Sequence, residues 1–349
     1  MRFIPQRYFS NLFVAISIES DECHLLAKIV KNGKVIKSYE AAFDSTNSEK
    51  LDSKIIAYIE DKASSVLDTY IISYFDSIGQ GVLPTVKSSE FSNFDVDSSS
   101  VQQIKVDNSW SIYASYAQID LEKKFYDKTG LDLLYSPFVL LNHSVSKEPA
   151  CAKPTLYMYN HKDSFSIAIY LERKVLFGAF FKTSEIEGAD ELESGISSLE
   201  EWSETKEEQG VEDLILLEEN GESEEEFHSL DDLDDLDNLE ELASQSDGFV
   251  EDTETALIEE LKARTSEKAI ELFGRNMQMY KYLHSSLEEF YKNKNYESDF
   301  VEDIIIFDNY EMSHTVLDIL KEEFLVNIKV KKVKTLELML EIALKDLGL

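Results

Sequence analysis

The alternation of apolar and polar positions predicts the same three-stranded unit twice along the chain. Strands are predicted over residues 13–20, 23–30 and 35–43 in the first copy, and over residues 155–160, 164–171 and 175–181 in the second. Both copies are rich in β-branched and aromatic residues, and Asn32-Gly33 in the first copy is the strongest short signal of a hairpin turn. A duplicated β-meander is therefore expected.

The segments outside the two meanders alternate between helical and strand patterns. The apolar residues of 48–68 recur about every 3.6 positions, which predicts a helix with one buried face. Further strands are predicted over 70–75, 101–106, 110–119, 302–308 and 327–333, and further helices over 120–129, 256–292, 315–324 and from 334 onward. Residues 131–145 are typical of a strand, a proline turn and a helix start, and Gly79-Gln80-Gly81 is expected to be a loop.

The net charge of −35 for 349 residues is concentrated in one segment. Residues 184–255 contain 29 Asp and Glu and one lysine, Lys206, whereas the rest of the chain has an ordinary charge balance. Nucleic-acid binding requires clusters of Lys and Arg that neutralise phosphates, so nucleic acid is not an expected partner. An anionic membrane surface is an equally poor direct ligand.

Residues 230–242 of this segment, LDDLDDLDNLEEL, place a leucine at every third position. A spacing of three drifts around an α-helix, and the crowded carboxylates oppose folding. We therefore interpret residues 184–255 as a solvated, disordered insertion. Two alternatives stay open: a docking segment that folds on a basic partner, and a calcium site, although the D-x-D-x-D-G loop pattern is absent.

Motifs for catalysis or metal binding are missing from the sequence. Its six histidines lack ligand spacing, and Cys23 and Cys151, with no CxxC pairing, are interpreted as reduced structural thiols. There is no P-loop, G-x-S-x-G or G-x-G-x-x-G motif. No cofactor and no metal are expected. The N-terminus lacks a signal-peptide pattern, and no apolar run approaches the ~20 residues of a spanning helix, so a soluble protein is expected.

A duplicated meander followed each time by helical sequence resembles the two halves of the actin-like fold of actin, Hsp70 and sugar kinases. Over residues 12–183 and 256–349, element order and hydrophobic pattern resemble the PilM family of type IV pilus machines and, more distantly, the cytoplasmic part of GspL of type II secretion. The resemblance implies an α/β, bilobal actin-like (ASKHA) fold with an inserted subdomain. The implied boundaries are 1–147 for the first lobe, about 68–134 for its inserted subdomain, 148–183 and 256–349 for the second lobe, and 184–255 for the acidic insertion.

In that family the first strand carries a D-x-G-S signature, in which Asp handles the metal and Gly lets backbone N–H groups close on the phosphates. Matching this pattern puts Ser17 at the Asp position, Glu19 at the Gly position and Ser20 at the Ser position. A carboxylate ~4 Å from a phosphate repels it by about 4 kcal/mol at an effective dielectric near 20, which costs about a thousandfold in affinity. Glu19 therefore opposes nucleotide binding.

The other two nucleotide signatures of the family are also changed. At the second hairpin, Met158 and Asn160 take the positions of Asp and Gly in D-x-G, and Asp308 and Asn309 take the positions of the Gly-Gly pair that contacts adenosine. Neither turn contains another Asp-x-Gly, and Asp21 and Asp163 are interpreted as ordinary turn residues. The degenerate motifs imply a pseudo-actin that is not an enzyme.

In the family, a groove on the first lobe binds a short extended peptide from the cytoplasmic N-terminus of PilN, an inner-membrane protein. The matching subdomain here carries an aromatic strand, whose candidate partner-binding residues are Trp110, Ile112, Tyr113 and Tyr116. Trp110 and Tyr113 lie on opposite faces of an ideal strand, so one of them is expected in the core. The pattern leaves open which one.

The resemblance implies a non-catalytic scaffold in the cytoplasm, peripheral to the inner membrane and reaching it only through a partner. It implies a PilN-like tail and neighbouring ring copies of the chain itself as partners. The host machine would be a type IV pilus, a type II secretion or competence system, or a flagellar motor. Two alternatives remain: an active actin-fold ATPase or kinase with a divergent site, and an acidic adaptor that acts through residues 184–255.

Overall fold

The computed structural model describes residues 10–20, 22–44, 50–183, 274–310, 312 and 314–348. The strands are β1 (Ser10–Ile18), β2 (Glu22–Lys31), β3 (Lys34–Asp44), β4 (Asp68–Tyr74), β5 (Gln80–Leu83), β6 (Val101–Val106), β7 (Trp110–Ser115), β8 (Leu133–Tyr135), β9 (Cys151–Asn160), β10 (Ser164–Glu172), β11 (Lys174–Lys182), β12 (Asp303–Asp308) and β13 (Asn327–Lys332). The helices are α1 (Ser53–Ala63), α2 (Tyr116–Phe125), α3 (Pro137–Ser146), α4 (residues 274–292), α5 (His314–Phe324) and α6 (Thr335–Asp346). The predictions for the acidic insertion, 184–255, and for a helix over 256–273 lie outside these residues.

Two five-stranded sheets have the same strand order. The first is β3-β2-β1-β4-β8 and the second is β11-β10-β9-β12-β13. In each, an antiparallel meander is extended by two parallel strands, since β1 pairs in parallel with β4 and β9 with β12. This repeated topology is the actin-like fold, and it confirms the predicted bilobal α/β class. Both predicted meanders are confirmed. Five of the six strands extend beyond the predicted bounds, whereas β1 begins before the predicted 13–20 and ends two residues earlier, at Ile18.

The main core lies between the two sheets and is filled by two helices that contact each other. Helix α3 packs on β9 and β10 of the second sheet, whereas α6 packs on β1, β2 and β4 of the first. Phe138 and Leu140 of α3 and Met339 and Leu340 of α6 are buried in one apolar cluster with the inward faces of both sheets. Burying each such side chain contributes about 1.5–3 kcal/mol, so these helices bind the two lobes together.

Local sequence determines where these helices begin. The Ser136 hydroxyl accepts a hydrogen bond from the backbone N–H of Phe138, and Pro137 occupies the first helical position, which together start α3 as predicted. Asp52 caps α1 in the same way through the N–H of Lys54. Helix α1 is therefore shorter than the predicted 48–68, because the cap residue fixes its start.

The inserted subdomain differs from its predicted form. Its sheet has the order β5-β7-β6 and lies between β4 and α2 in the chain, so it begins after β4, which belongs to the main sheet. The expected loop at Gly79–Gly81 instead leads into β5. The strand predicted over 110–119 ends at Ser115, and Tyr116 begins α2. The good helix formers from Ala117 onward outweigh the alternating pattern there.

Close packing joins the subdomain to the second lobe, because β5 lies against β11. A Cβ atom at Gly178 of β11 would overlap the side chain of Val82 and would lie 2.9 Å from the carbonyl oxygen of Ile167. Glycine is therefore required there for close approach rather than for an unusual backbone conformation. Within the ranges given above, no helix has both the length and the apolar character needed to cross a membrane.

Candidate functional site

The tips of the β1–β2 and β9–β10 hairpins contact each other directly across the two lobes. Ser17 Oγ and His161 Nε2 lie 3.1 Å apart and share a hydrogen bond, and both residues are buried. The backbone N–H of Ser20 donates to Asp163 Oδ2 at 2.6 Å, and the Ser20 hydroxyl donates to Asp163 Oδ1 at 3.1 Å. We call Ser17, Glu19, Ser20, His161 and Asp163 the hairpin-tip contact. It lies at the two turns that the sequence analysis matched to the phosphate-binding signatures of the PilM family.

Glu19 lies in the middle of this contact. Its carboxylate is 3.6 Å from Lys162 Nζ and 3.8 Å from His161 Nε2, both on the second hairpin, and 3.4 Å from His24 on β2. Its side chain is only 10% exposed. The residue at the predicted glycine position therefore fills space between the hairpins with a negative charge instead of leaving room for a phosphate.

Two further contacts cross the same cleft beside the hairpin tips. The ring of Tyr74, at the end of β4, stacks on His161 with ring centroids 4.5 Å apart. Lys182 at the end of β11 donates to Asp76 Oδ2 at 2.9 Å and to the Asp76 backbone oxygen at 3.1 Å. Because all four residues lie at strand ends, sequence patterns gave no signal that they would meet.

Arg275 of α4 fills the second-lobe side of the cleft. Its Nη2 donates to Asn160 Oδ1 at 2.5 Å and to the His161 carbonyl at 2.6 Å, and its Nε donates to the Lys162 carbonyl at 2.8 Å. The guanidinium also lies 5.0 Å from the ring centroid of Tyr310. Burial lowers the pKa of Arg275 to about 10, so it remains charged at neutral pH. Arg275 lies 115 residues after Asn160 in the sequence, beyond the acidic insertion, and it belongs to no sequence motif that would have predicted this contact.

Asp308 and Asn309 have structural roles in place of a flexible glycine pair. Asp308 accepts hydrogen bonds from the Asn160 side chain at 2.7 Å and from the backbone N–H of Met312 at 2.9 Å. The Asn309 side chain accepts from the N–H of Thr335 at 2.9 Å and thereby caps the start of α6. Asp308 thus closes its own turn, and Asn309 ties that turn to the start of α6.

The structure shifts the predicted match at the second hairpin by one residue. The N–H of Glu19 bonds to the carbonyl of Glu22, and the N–H of His161 bonds in the same way to that of Ser164, so Glu19 and His161 are equivalent turn positions. Ser17 then matches Tyr159 rather than Met158. Met158 is buried on the outward face of β9, away from the cleft. The assignment failed because no Asp-x-Gly remained to fix the register.

Two buried titratable side chains at or near the hairpin tips have shifted pKa values. Burial lowers the pKa of His161, which is therefore neutral, and raises the pKa of the Cys23 thiol to about 12, which leaves it protonated and unreactive. In the part of the chain that the structure describes, no group of three or more His, Cys, Asp or Glu side chains could hold a metal ion.

An open groove of about 720 Å³ remains beside the hairpin tips. Four carboxylates line it, against two lysines and His24: the carboxylates are those of Glu19, Glu22, Glu40 and Glu337, and the lysines are Lys162 and Lys334. This charge balance disfavours a triphosphate, which carries several negative charges.

The four candidate partner-binding residues do not form one surface. Trp110 is fully buried and packs edge-on against Tyr170, and Ile112 is also buried, so both belong to the core. Strand β7 is paired on both edges, by β5 and β6, and cannot accept an added strand. Tyr113 is partly buried over Gly81. Only Tyr116 is well exposed, at 48%, and it lies in α2 rather than in the strand.

Two family models match the chain. A domain of unknown function, DUF8341, matches residues 156–348, and a second, DUF8569, matches residues 9–142. Their boundary falls between the two lobes, so each model covers about one meander and its helices. No curated protein matches the sequence.

Several solved structures resemble the chain at low sequence identity. One is a Bacteroides thetaiotaomicron protein with an actin-like ATPase fold and unknown function, which is 10% identical. The match covers 99% of this chain and 98% of that protein's chain, with a TM-score of 0.44. The PilM-PilN type IV pilus biogenesis complex is 11% identical. The match covers 94% of this chain and 89% of the chain in that complex, with a TM-score of 0.45. The cytoplasmic domain of EpsL, from the type II secretion system of Vibrio cholerae, is 11% identical. That match covers 51% of this chain and 73% of EpsL's chain, with a TM-score of 0.29. At such scores, the fold assignment rests on the repeated strand order.

The buried neutral state of His161 predicts a specific loss of stability in acid. Below pH ~6.5 the unfolded chain protonates this histidine while the folded chain does not, so the free energy of unfolding falls by up to about 1.4 kcal/mol per pH unit until the lowered pKa is reached. In His161→Gln this component is absent. Urea unfolding at pH 7.5 and 5.5 should therefore show a smaller stability deficit of the variant at pH 5.5.

Ser17→Ala provides the control, because it removes the hydroxyl partner of His161 but no titrating group. Its deficit should be similar at both pH values. A His161→Gln deficit that is equal or larger at pH 5.5 would contradict a buried neutral histidine.

Proposed function

For a chain that belongs to the DUF8341 family, we propose a non-catalytic role as an actin-fold scaffold on the cytoplasmic face of an envelope machine. The observation that carries the non-catalytic part is the hairpin-tip contact. Both phosphate-facing turns are hydrogen-bonded to each other, and Glu19 and Asp163 put carboxylates where a nucleotide would need N–H donors. Arg275, the nearest buried cation, is already held by three oxygen acceptors.

Opening this cleft for a nucleotide has a large energetic cost. Each of the cross-lobe hydrogen bonds contributes about 0.5–1.5 kcal/mol, and unpaired buried groups cost about 1–3 kcal/mol each. The ligand would in addition face the repulsion of Glu19. Binding energy from adenosine contacts would have to offset all of these terms, and the turn that would make those contacts is closed by Asp308 and Asn309.

The envelope-machine part of the proposal is supported by the resemblance of element order to the PilM and GspL families. A scaffold of this kind would work by binding the cytoplasmic tail of a PilN-like inner-membrane protein, with further copies of itself beside it in a pilus, secretion, competence or flagellar assembly.

The inserted subdomain offers one strand edge for such a tail. Among the described strands β6 pairs with β7 alone, and its Ile104 is 50% exposed, whereas the other outer strand, β5, lies against β11. The N–H of Tyr116 bonds to the carbonyl of Ser100, which places Tyr116 next to the start of β6. An extended tail along β6 would gain main-chain hydrogen bonds and contact both side chains. This replaces β7, the strand that sequence indicated.

The first test is calorimetry of the purified protein with Mg-ATP at millimolar concentration. We expect no binding heat and no ATP hydrolysis, because the hairpin-tip contact fills the phosphate site. Low-micromolar binding would support the alternative of a working ATPase or kinase and would overturn the non-catalytic role. A variant with the contact loosened, Asp163→Ala, shows whether any weak signal depends on opening the cleft.

The second test is Tyr116→Glu. Tyr116 is exposed in the first turn of α2, where a carboxylate interacts favourably with the helix dipole, so the fold should be preserved. We expect co-purification with the partner tail to fall at least tenfold.

Leu67→Glu is the matched control, since Leu67 is 57% exposed on the same lobe, just before β4. It should leave co-purification unchanged. Wild-type recovery of the partner with a folded Tyr116→Glu variant would exclude this edge as the docking site.

A further inference from the structure

The β2–β3 hairpin ends in a surface that is both basic and apolar. All residues of 31–38 are exposed, and they include Lys31, Lys34 and Lys37. Val35 and Ile36 between these lysines are 49% and 54% exposed. Residues 23–39 contain no Asp or Glu, and none of the three lysines forms an ion pair within the residues that the structure describes. We call residues 31–38 the basic hairpin end.

A β-bulge shapes this hairpin end. Val35 pairs with Val30 of β2 and Lys37 pairs with Ile29, which leaves Ile36 as the extra residue of the bulge. A bulge interrupts the alternation of a strand and re-aims the side chains beside it. It therefore lets two consecutive apolar side chains stand exposed among the lysines.

The second lobe carries an exposed apolar pair at the start of two neighbouring strands. Phe300 precedes β12 and is 57% exposed, and Leu325 precedes β13 and is 84% exposed. The two strands pair in parallel from their first residues, so the segments that lead into them lie side by side. Val301 and Val326, the next residue in each segment, are buried in one cluster. We call residues 297–303 and 322–325 the acidic strand end.

Carboxylates surround this apolar pair. Residues 294–303 and 318–327 contain seven Asp and Glu against two lysines, Lys294 and Lys321. Three of these carboxylates pair with lysines, as Asp318–Lys321, Glu302–Lys153 and Glu297–Lys174. The other four form no ion pair in the described part of the chain: Asp299, Asp303, Glu322 and Glu323. Even with Lys153 and Lys174 counted, seven carboxylates stand against four lysines.

Leu325 is unfavourable in two ways for a residue of a single copy. Its φ of 53° lies in the left-handed region, which suits Gly and Asn and is rare for a bulky side chain. Its side chain is also the most exposed of the large apolar residues that the structure describes. Residues that break local rules are concentrated at functional sites. A contact that buries Leu325 in an assembly would account for both features.

The two surfaces lie on different lobes, at the sheet ends that point away from the cleft. The β1–β2 turn forms the hairpin-tip contact, so the β2–β3 turn lies at the other end of β2. In the second lobe, β12 runs parallel to β9, and β9 ends at the hairpin tip. The start of β12 is therefore also remote from the tip. A contact between the two surfaces would join two copies of the chain.

We propose that the basic hairpin end of one copy docks on the acidic strand end of the next copy. Val35 and Ile36 would lie against Phe300 and Leu325, and the lysines would pair with the surrounding carboxylates. Because the two surfaces differ, such a head-to-tail contact generates a closed ring or an open helical assembly. The proposal rests on the proposed function in one respect, because it supplies the contact between copies that the scaffold requires.

Sedimentation velocity of the purified full chain tests this contact. The buffer has physiological ionic strength, at which a Debye length of about 8 Å screens the overall negative charge but leaves short-range contacts. We expect the sedimentation coefficient to rise with protein concentration. Lys34→Glu with Lys37→Glu, or Asp299→Lys with Glu322→Lys, should weaken self-association at least tenfold.

Mixing the two charge-reversed proteins tests whether the surfaces bind each other. Each protein alone carries two surfaces of like charge, whereas the reversed hairpin end of one matches the reversed strand end of the other. We expect an equimolar mixture to recover self-association to within threefold of the wild type. Lys54→Glu with Lys105→Glu is the matched charge control, since both lysines are exposed outside the two surfaces, and it should behave like the wild type.

Leu325→Asn separates the contact from folding. Asn adopts the left-handed conformation more readily than Leu, so the melting temperature of the variant should not fall. Self-association should nevertheless weaken at least fivefold, because the exposed apolar side chain is gone. Unchanged self-association of this variant would contradict a role of Leu325 in the contact.

Three further results would contradict the proposal: a wild-type protein that is monomeric at every concentration, a mixture that does not recover self-association, or full self-association of the Asp299→Lys, Glu322→Lys protein alone. The last result would assign the basic hairpin end to a different acidic segment. These measurements use neither ATP nor a partner tail, so their failure is distinct from failure of the tests of the proposed function.

Discussion

The contact between the two hairpin tips is the interaction on which the rest of this structure depends. Ser17 and Ser20 on one lobe bond to His161 and Asp163 on the other, and all of these groups except Ser20 are buried. Buried polar groups are tolerated only when they are paired, so once the lobes close, each hairpin satisfies the other. In a nucleotide-binding relative the ligand would supply those partners. Here the protein's own side chains supply those partners.

The remaining features of the cleft follow from this closed arrangement. Arg275 is stabilised by carbonyl oxygens and Asn160 rather than by a phosphate, and Lys182 pairs with Asp76 across the lobes. Behind them, α3 and α6 bury apolar side chains between the sheets and fix the lobes from the opposite side. The lobes are thus held together at the hairpin tips and at helices α3 and α6. Such a rigid arrangement suits the scaffold role proposed above. The surface proposed above for a partner is the β6 edge.

The duplicated fold could be predicted from sequence because period-two alternation fixes which face of each strand is buried. The sequence match put Met158 opposite Ser17, whereas the hairpin hydrogen bonds put Tyr159 there. Alternation predicts which face of a strand is buried, but it does not predict the residue at which the hairpin turns. Tyr116 was assigned to a strand because helix propensity in Ala117–Lys124 overrides a short alternating pattern. The hairpin-tip contact could not be predicted, since it joins residues about 140 positions apart through ordinary turn chemistry. Asp163 looked like a common turn residue and instead bonds across the lobes.

The claim that the lobes are closed without a ligand is tested most directly by an interlobe distance. Spin labels at Ser38 on β3 and Glu322 on α5, both exposed, report on opposite lobes. Cys151→Ser removes the more accessible native thiol, while Cys23 is buried and its raised pKa of about 12 keeps it unreactive. Pulsed electron–electron double resonance should give one narrow distribution of the distance between the two labels, and millimolar Mg-ATP should leave that distribution unchanged. A broad or two-state distribution that narrows with Mg-ATP would contradict the account.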